Sequence, residues 1–327
     1  VRAAALQLLI AAILALAAGS LLAGPVWLSP ASVAGALADP QPNLAKLLIV
    51  EVRLPRLVLA LMVGAILGLA GAVLQGLLRN PLAEPGLLGA SSGASLGAVI
   101  AIYYGFAASA GLATPVFALA GALVAVGIAF ALSRTGGTLS LILAGVAVST
   151  LASAGVSLAL NLAPNPFAAY EIVTWLMGSL ADRSWDHVTL AAPFIAIGAA
   201  LLALTARGLD ALTLGERQAE SLGVDVARLR LLALVGTAAG VGAATAVTGA
   251  VGFVGLIAPH LARPLVGHRP GAALAPSALI GAALVLAADV AVKIAGPALD
   301  LKLGVLIAVV GAPFFLWLVL RVRQVAP

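Results

Sequence analysis

The chain contains no cysteine, which excludes disulfides, thiolate metal sites and cysteine nucleophiles. Charge is scarce: Asp, Glu, Lys and Arg make up 9% of 327 residues, against about 25% in an ordinary soluble domain. Histidine is limited to His187, His260 and His268, and none has an HExxH-like metal spacing. The lysines, Lys46, Lys293 and Lys302, follow Ala, Val and Leu. A P-loop needs a Gly-Lys step, so this chain does not itself hydrolyse ATP. No pair of carboxylates falls within an apolar run, which leaves acid–base catalysis without its groups. We therefore assign no catalytic residue and no metal ligand, and expect no cofactor on this chain.

Hydrocarbon is what the chain has: 63% of its residues are hydrophobic, more than a soluble fold of this length can hide. The sequence predicts an all-α, polytopic membrane protein built as one domain over residues 1–327. A hydrocarbon core of about 30 Å needs about 20 apolar residues per helix. About ten runs qualify: Ala3–Ala23, Arg56–Leu78, Leu87–Phe106, Pro115–Ser133, Leu139–Leu160, Val188–Ala206, Leu229–Val247, Val251–Val266, Pro276–Val292 and Gly304–Leu320. The eighth is short and carries Pro259. The first has the look of a signal peptide, but as the opening of a ten-span chain it is expected to be retained as a helix. Gly64, Gly68 and Ala72 recur every four residues and predict a smooth helix face for close packing.

Placing both termini in the cytoplasm puts Arg2, Arg79, Arg134, Arg207, Arg217, Arg228, Arg230, Arg263, Arg269, Arg321 and Arg323 inside. Lys46, Arg53, Arg56, Arg183, Lys293 and Lys302 then lie outside, in keeping with the positive-inside rule. The net charge of +5 is thus topological and is no nucleic-acid footprint. GAVLQGLLRNPLAEPGLLG (71–89) and GAVGFVGLIAPHLARPLVG (249–267) echo one another on oppositely directed segments, the pattern of an inverted repeat.

Two loops stand out. The outer loop, 161–187, is aromatic, with a short helix expected over Phe167–Leu180; it is either an interfacial belt or a gate beside a pathway mouth. The inner loop, 205–230, carries Arg207, Asp210, Glu216, Arg217, Glu220, Asp225, Arg228 and Arg230. Thr213 and Glu216 have capping-box spacing, Gly223 is placed to stop a helix, and Asp225 to cap the next. A built helix carrying apolar Leu214 and Leu222 reads as a docking surface for a cytoplasmic partner. No Asp or Glu occupies a span centre, and Asp289 is expected to pair with Lys293 at i+4. A proton-coupled carrier ordinarily buries carboxylates there, so energy is expected from a partner.

Several stretches resemble the permease subunits of type II ABC importers, the family that takes up ferric siderophores, haem and vitamin B12. They are RLPR (53–56), GAVLQGLLRNPLAEPGLLGASSGASLGA (71–98), WLMGSL (175–180), LGERQAESLGV (214–224), GFVGLIAPHLAR (252–263) and GAPFF (311–315). The resemblance implies ten helices in the bacterial inner membrane and a homodimer with the pathway at its interface. It also implies two ATPase subunits that bind ATP and Mg, and a periplasmic binding protein. By resemblance, Leu214, Gly215, Glu216, Ala219, Leu222, Gly223 and Val224 touch the ATPase. The same resemblance implies that Arg53, Arg56 and Lys293 receive the binding protein's carboxylates, although the family more often has Arg at the last position. The family's Glu-x-Pro before the final helix reads Asp300-Leu301-Lys302 here. Ser149, Ser153, Ser157 and Asn161 form a mildly polar stripe on the helix that lines the pathway in this family; the same small residues also suit helix packing. The wording is slightly closer to haem permeases, with ferric siderophore or vitamin B12 as alternatives and a stand-alone secondary carrier as a distant one.

Overall fold

The computed structural model describes residues 3–325 except 40, 42, 110 and 134–137, and among the described residues every regular element is a helix. In chain order these are α1 (Ala3–Leu22), α2 (Pro30–Ala38), α3 (Leu44–Leu47), α4 (Leu54–Leu77), α5 (Ala90–Tyr103), α6 (Phe106–Ser109), α7 (Ala113–Ser133) and α8 (Thr138–Asn161). There follow α9 (Pro166–Leu176), α10 (Trp185–Ala203), α11 (Ala206–Leu212), α12 (Glu216–Ser221), α13 (Val226–Thr248), α14 (Val254–Ala262), α15 (Pro270–Ala295) and α16 (Leu303–Val325). Among the described residues eight helical segments are long and apolar enough to cross a membrane; Ala90–Tyr103 and Val254–Val266 are shorter apolar helices and complete the ten expected runs. Of the basic residues used for orientation, Arg2 and Arg134 lie outside the described residues.

Local chemistry accounts for the helix boundaries. Asn43, Asn165 and Asp225 each accept a backbone N–H of the first turn they precede, at 2.8, 2.9 and 2.9 Å. Pro30, Pro55 and Pro166 stand in first turns, where a missing N–H costs nothing. The two short helices are short because the backbone is broken before each. Pro85–Leu88 forms a tight 3₁₀ turn closed by Gly89 at φ 83°, so the third run becomes helical only at Ala90. Phe253, at φ 63°, holds a left-handed conformation that delays the eighth run to Val254.

The core is centred on α4 and α13, which are buried along most of their length. Gly64 and Gly68 of the expected smooth face make close contacts on α4, and Gly71, outside that four-residue spacing, makes a third with another neighbour. A Cβ on Gly64 or Gly68 would strike the backbone of α15 at Gly281 or Ser277, and one on Gly71 would strike Gly255 of α14. Such contacts let dispersion act between backbones, the main attraction available where lipid is as apolar as the protein.

The packing repeats. α4 packs on α15 and α14, while α13 packs on α7 and α5; α5 packs on α7 and α8, and α14 on α15 and α16. This is the partner exchange expected if α4–α5–α7–α8 and α13–α14–α15–α16 are equivalent halves. The sequence echo is out of register with it. The echo sets the helical end of α4 against the extended residues before α14, and only its closing turns match: a 3₁₀ turn followed by left-handed Gly89 or Gly267.

Candidate functional site

Two of the predicted outer basic residues, Arg56 and Lys293, converge on one carboxylate. Asp289 of α15 is 0% exposed; its Oδ1 accepts from Arg56 Nε at 2.7 Å, and its Oδ2 lies 3.0 Å from Lys293 Nζ. The lysine contact is an ion pair without hydrogen-bond alignment, because the ammonium is aimed at Ser20 Oγ, 2.7 Å away, and at the Ser20 carbonyl. Arg53, 6% exposed, turns its guanidinium onto the carbonyls of Leu21 and Val26. Ser20 and Leu21 belong to the last turn of α1, whose carbonyls have no intrahelical partners and carry the negative end of the helix dipole. Two cations therefore fasten α1 to the α4–α15 pair. The expected Asp289–Lys293 pair is one part of a larger cluster, and Arg56 keeps the most contact with solvent, at 17%.

At the other end, the 205–230 loop is a compact turn of helices. The capping box does not form. Thr213 Oγ1 donates to the Asp210 carbonyl at 2.7 Å, and Gly215, at φ 110°, leads into α12 without a side-chain cap. The reason is that α11 extends to Leu212 and absorbs Thr213 as its own cap. Glu216, released from capping, accepts from Arg230 at 2.7 Å and pins α12 to the base of α13. Gly223 stops the helix as expected, at φ 84°, and Val224 N–H donates to the Ala219 carbonyl at 3.0 Å. Ala219 is buried under the turn, while Leu214 and Leu222 are 62% and 64% exposed. Two bare leucines on a rigid charged turn make an apolar docking element.

Between these ends lies an open cavity of about 290 Å³ lined by Ser91, Ser92 and Ser95 of α5, Ser153 and Ser157 of α8, and Leu176 and Ala250. Leu176 ends α9, the helix of the aromatic outer loop. On the other side of that helix Phe167 and Tyr170 are exposed, while Ile172 packs against Val99 and Ile102.

A half-buried acid also emerges where the sequence placed a cytoplasmic turn. After α4 the chain turns at left-handed Arg79, with Asn80 Oδ1 accepting from Leu82 N–H at 2.9 Å. It then folds back so that Glu84 meets the start of α14. Its carboxylate accepts the Phe253 N–H; burial raises its pKa above the ordinary carboxylate value, and the Phe253 hydrogen bond only partly offsets this. The carboxylate sits at the N-terminal end of α14, the positive end of its helix dipole.

The FecCD transport family profile matches residues 8–321, nearly the whole chain. The chain belongs to the FecCD transport family. Among its relatives, the cobalamin import system permease of Halobacterium salinarum is 42% identical over 288 residues, 87% of this chain and 76% of that protein. The hemin transport system permease of Yersinia pestis is 41% identical, covering 84% of this chain and 83% of the relative. The Fe(3+) dicitrate transport system permease of Escherichia coli is 39% identical, covering 84% and 86%. A solved metal-chelate type ABC transporter in an inward-facing conformation superposes with a TM-score of 0.84 at 33% identity, over 96% of this chain and 99% of that one.

In this FecCD permease the fold gathers Arg53, Arg56 and Lys293 at one end and Leu214 to Val224 at the other. The proposed path residues separate. Ser153 and Ser157 line the cavity, Ser149 Oγ faces the Gly86 carbonyl at 3.4 Å, and Asn161 is exposed at the end of α8. The sequence reading missed Ser91, Ser92 and Ser95. Their signal was present, a serine run directly after the Gly89 break, but only tertiary packing sets it opposite α8.

Proposed function

We propose that this FecCD permease is the membrane subunit of an ATP-driven importer, moving haem or a related iron chelate inward across the bacterial inner membrane. In this reading it works as a homodimer with two ATPase subunits, which bind ATP and Mg, and a periplasmic binding protein. The carrying observation is the inner turn, where exposed Leu214 and Leu222 flank a short helix, α12, that is anchored by Glu216–Arg230 and stopped by Gly223. Residues 214–224 dock the ATPase, and hydrolysis there moves the turn and, through Arg230, the base of α13.

The burial pattern narrows the outer docking role. Arg53 and Lys293 are engaged inside the chain, so Arg56 is the cation that receives a binding-protein carboxylate, with Asp289 as the internal competitor it must leave. The serine-walled cavity offers hydroxyls and methyl groups and no imidazole or thioether, a wall over which a large amphipathic chelate slides without being ligated. Such a wall suits haem, and it suits a ferric siderophore or a corrinoid equally. Names of relatives at 39–42% identity include cobalamin, hemin and ferric dicitrate, so identity does not rank the cargoes.

Proteoliposomes holding the permease, its ATPase and its binding protein test the reading. Uptake is measured for haemin, ferric siderophores and cobalamin with ATP inside and outside. ATP-dependent haemin uptake that survives a protonophore is the expected result. Uptake that needs no ATPase, or that collapses with the proton gradient, would point instead to a secondary carrier using Glu84.

A further inference from the structure

A second cavity, of about 380 Å³, opens at the end of the bundle that carries the inner turn, with Ala72, Pro259 and Ala273 in its walls and Arg79, Arg263 and His268 among its lining residues. Its size falls within the range of about 300–1,000 Å³ typical of small-molecule sites. Its charge is uncompensated: no carboxylate lines it, and among the described residues neither arginine nor His268 joins an ion pair. Asp210, on the neighbouring α11, is already held by Arg269 at 2.9 Å and by Gly271 N–H at 2.8 Å.

Arg263 is held in place, while Arg79 and His268 are exposed. Arg263 donates to Gln75 Oε1 at 2.6 Å, and the Gln75 amide in turn donates to the Gly255 and Leu256 carbonyls. Arg79 and His268 both hold left-handed backbones, at φ 48° and 62°, a conformation unusual outside glycine that tends to collect at ligand-binding positions. The depth is informative as well. Ala72 lies five residues before the end of α4, about 7 Å along a helix, which matches the roughly 5–8 Å of headgroup region in each leaflet.

We propose that this cavity binds a phosphate-bearing anion, with the phosphate between Arg79, Arg263 and His268 and, for a lipid, the glycerol against Ala72, Pro259 and Ala273. Guanidinium forks match phosphate oxygens in pairs, and basic pockets between helices on the cytoplasmic side are suited to anionic headgroups. A lone carboxylate from a protein partner would leave most of the volume and its apolar walls unfilled. The site adjoins the inner turn through Thr213, so its occupant would stiffen the platform on which that turn stands.

The test is native mass spectrometry of the full-length chain, delipidated in neutral detergent and titrated with dioleoylphosphatidylglycerol, dioleoylphosphatidylcholine or inorganic phosphate. One tight phosphatidylglycerol adduct is expected, preferred over phosphatidylcholine. Arg79→Asn with Arg263→Gln should weaken it about 30-fold, near fivefold per guanidinium. Arg79→Asn with His268→Asn keeps both left-handed backbones, which asparagine tolerates, and should weaken it several-fold if the first variant fails to fold. Binding of phosphatidylglycerol alone identifies a headgroup site, and comparable binding of inorganic phosphate identifies a free-anion site; both support the proposal. Equal phosphatidylglycerol affinity in wild type and variants overturns it, as does the absence of any adduct. It also falls if the variants keep wild-type lipid binding but lose the ATPase on co-purification, which would make an acidic side chain of the partner the occupant.

Discussion

Replacing Asp289 with alanine should be among the most damaging single changes in this chain. The carboxylate is fully buried and faces Arg56 on one oxygen and Lys293 on the other. Its removal leaves two cations with no carboxylate between them. Breaking a buried pair by removing one partner costs about 3–5 kcal/mol, largely from the stranded charge. Arg56 is 17% exposed at its side chain and can recover part of its hydration, so the lower end of that range applies. Lys293 retains Ser20. We therefore expect a loss of about 3 kcal/mol, measured by equilibrium unfolding of the full-length chain in mixed micelles.

The triple variant Arg56→Met, Asp289→Leu, Lys293→Met separates charge from packing. Replacing a whole buried ion cluster with apolar side chains of similar volume is often neutral or stabilising, so the triple variant should be more stable than Asp289→Ala. Alpha-helical content and detergent-resistant folding should be retained in both. If Asp289→Ala costs under about 1 kcal/mol, or the triple variant costs as much as the single, the ion cluster does not organise this end of the bundle.

Glycine packing supplies a matched pair. Gly71→Ala should cost about 1–3 kcal/mol, because its Cβ meets the Gly255 backbone, while Gly19→Ala, with nothing within 4 Å, should be neutral or slightly stabilising. Thermal unfolding of the two variants side by side checks this, and equal effects would refute the close contact. Leu214→Asp with Leu222→Asp should abolish ATPase co-purification without changing permease stability, since both side chains are exposed; retained co-purification removes these residues from the interface. Burial raises the Glu84 pKa, so the folded state binds its proton more tightly than the unfolded state does. That stabilisation is complete below the ordinary carboxylate value and is lost as pH rises through the raised one. Glu84→Gln should therefore gain stability relative to wild type as pH climbs across that window, and a pH-independent difference would refute the burial argument.

What could be read from the sequence follows from the range of each interaction. Hydropathy and caps act over one helix or one turn, so the runs, the Gly223 stop and the Asp225 cap were legible before any coordinates. Thr213–Glu216 shows where local grammar fails: two helices competed for the same residues, and α11 took Thr213 while Arg230 took Glu216. Asp289 had a visible partner at i+4, but its stronger one, Arg56, lies 233 positions away and follows only from the glycine contact between α4 and α15. Glu84 was hidden for the same reason. In sequence it belongs to a polar turn after a membrane helix, and nothing local says that the turn folds back to the start of α14. Both acids needed helix pairings that side chains of one methylene more would have prevented. The small residues that make the bundle close-packed are thus also what carries charge inward, and the functional ends of this permease depend on them.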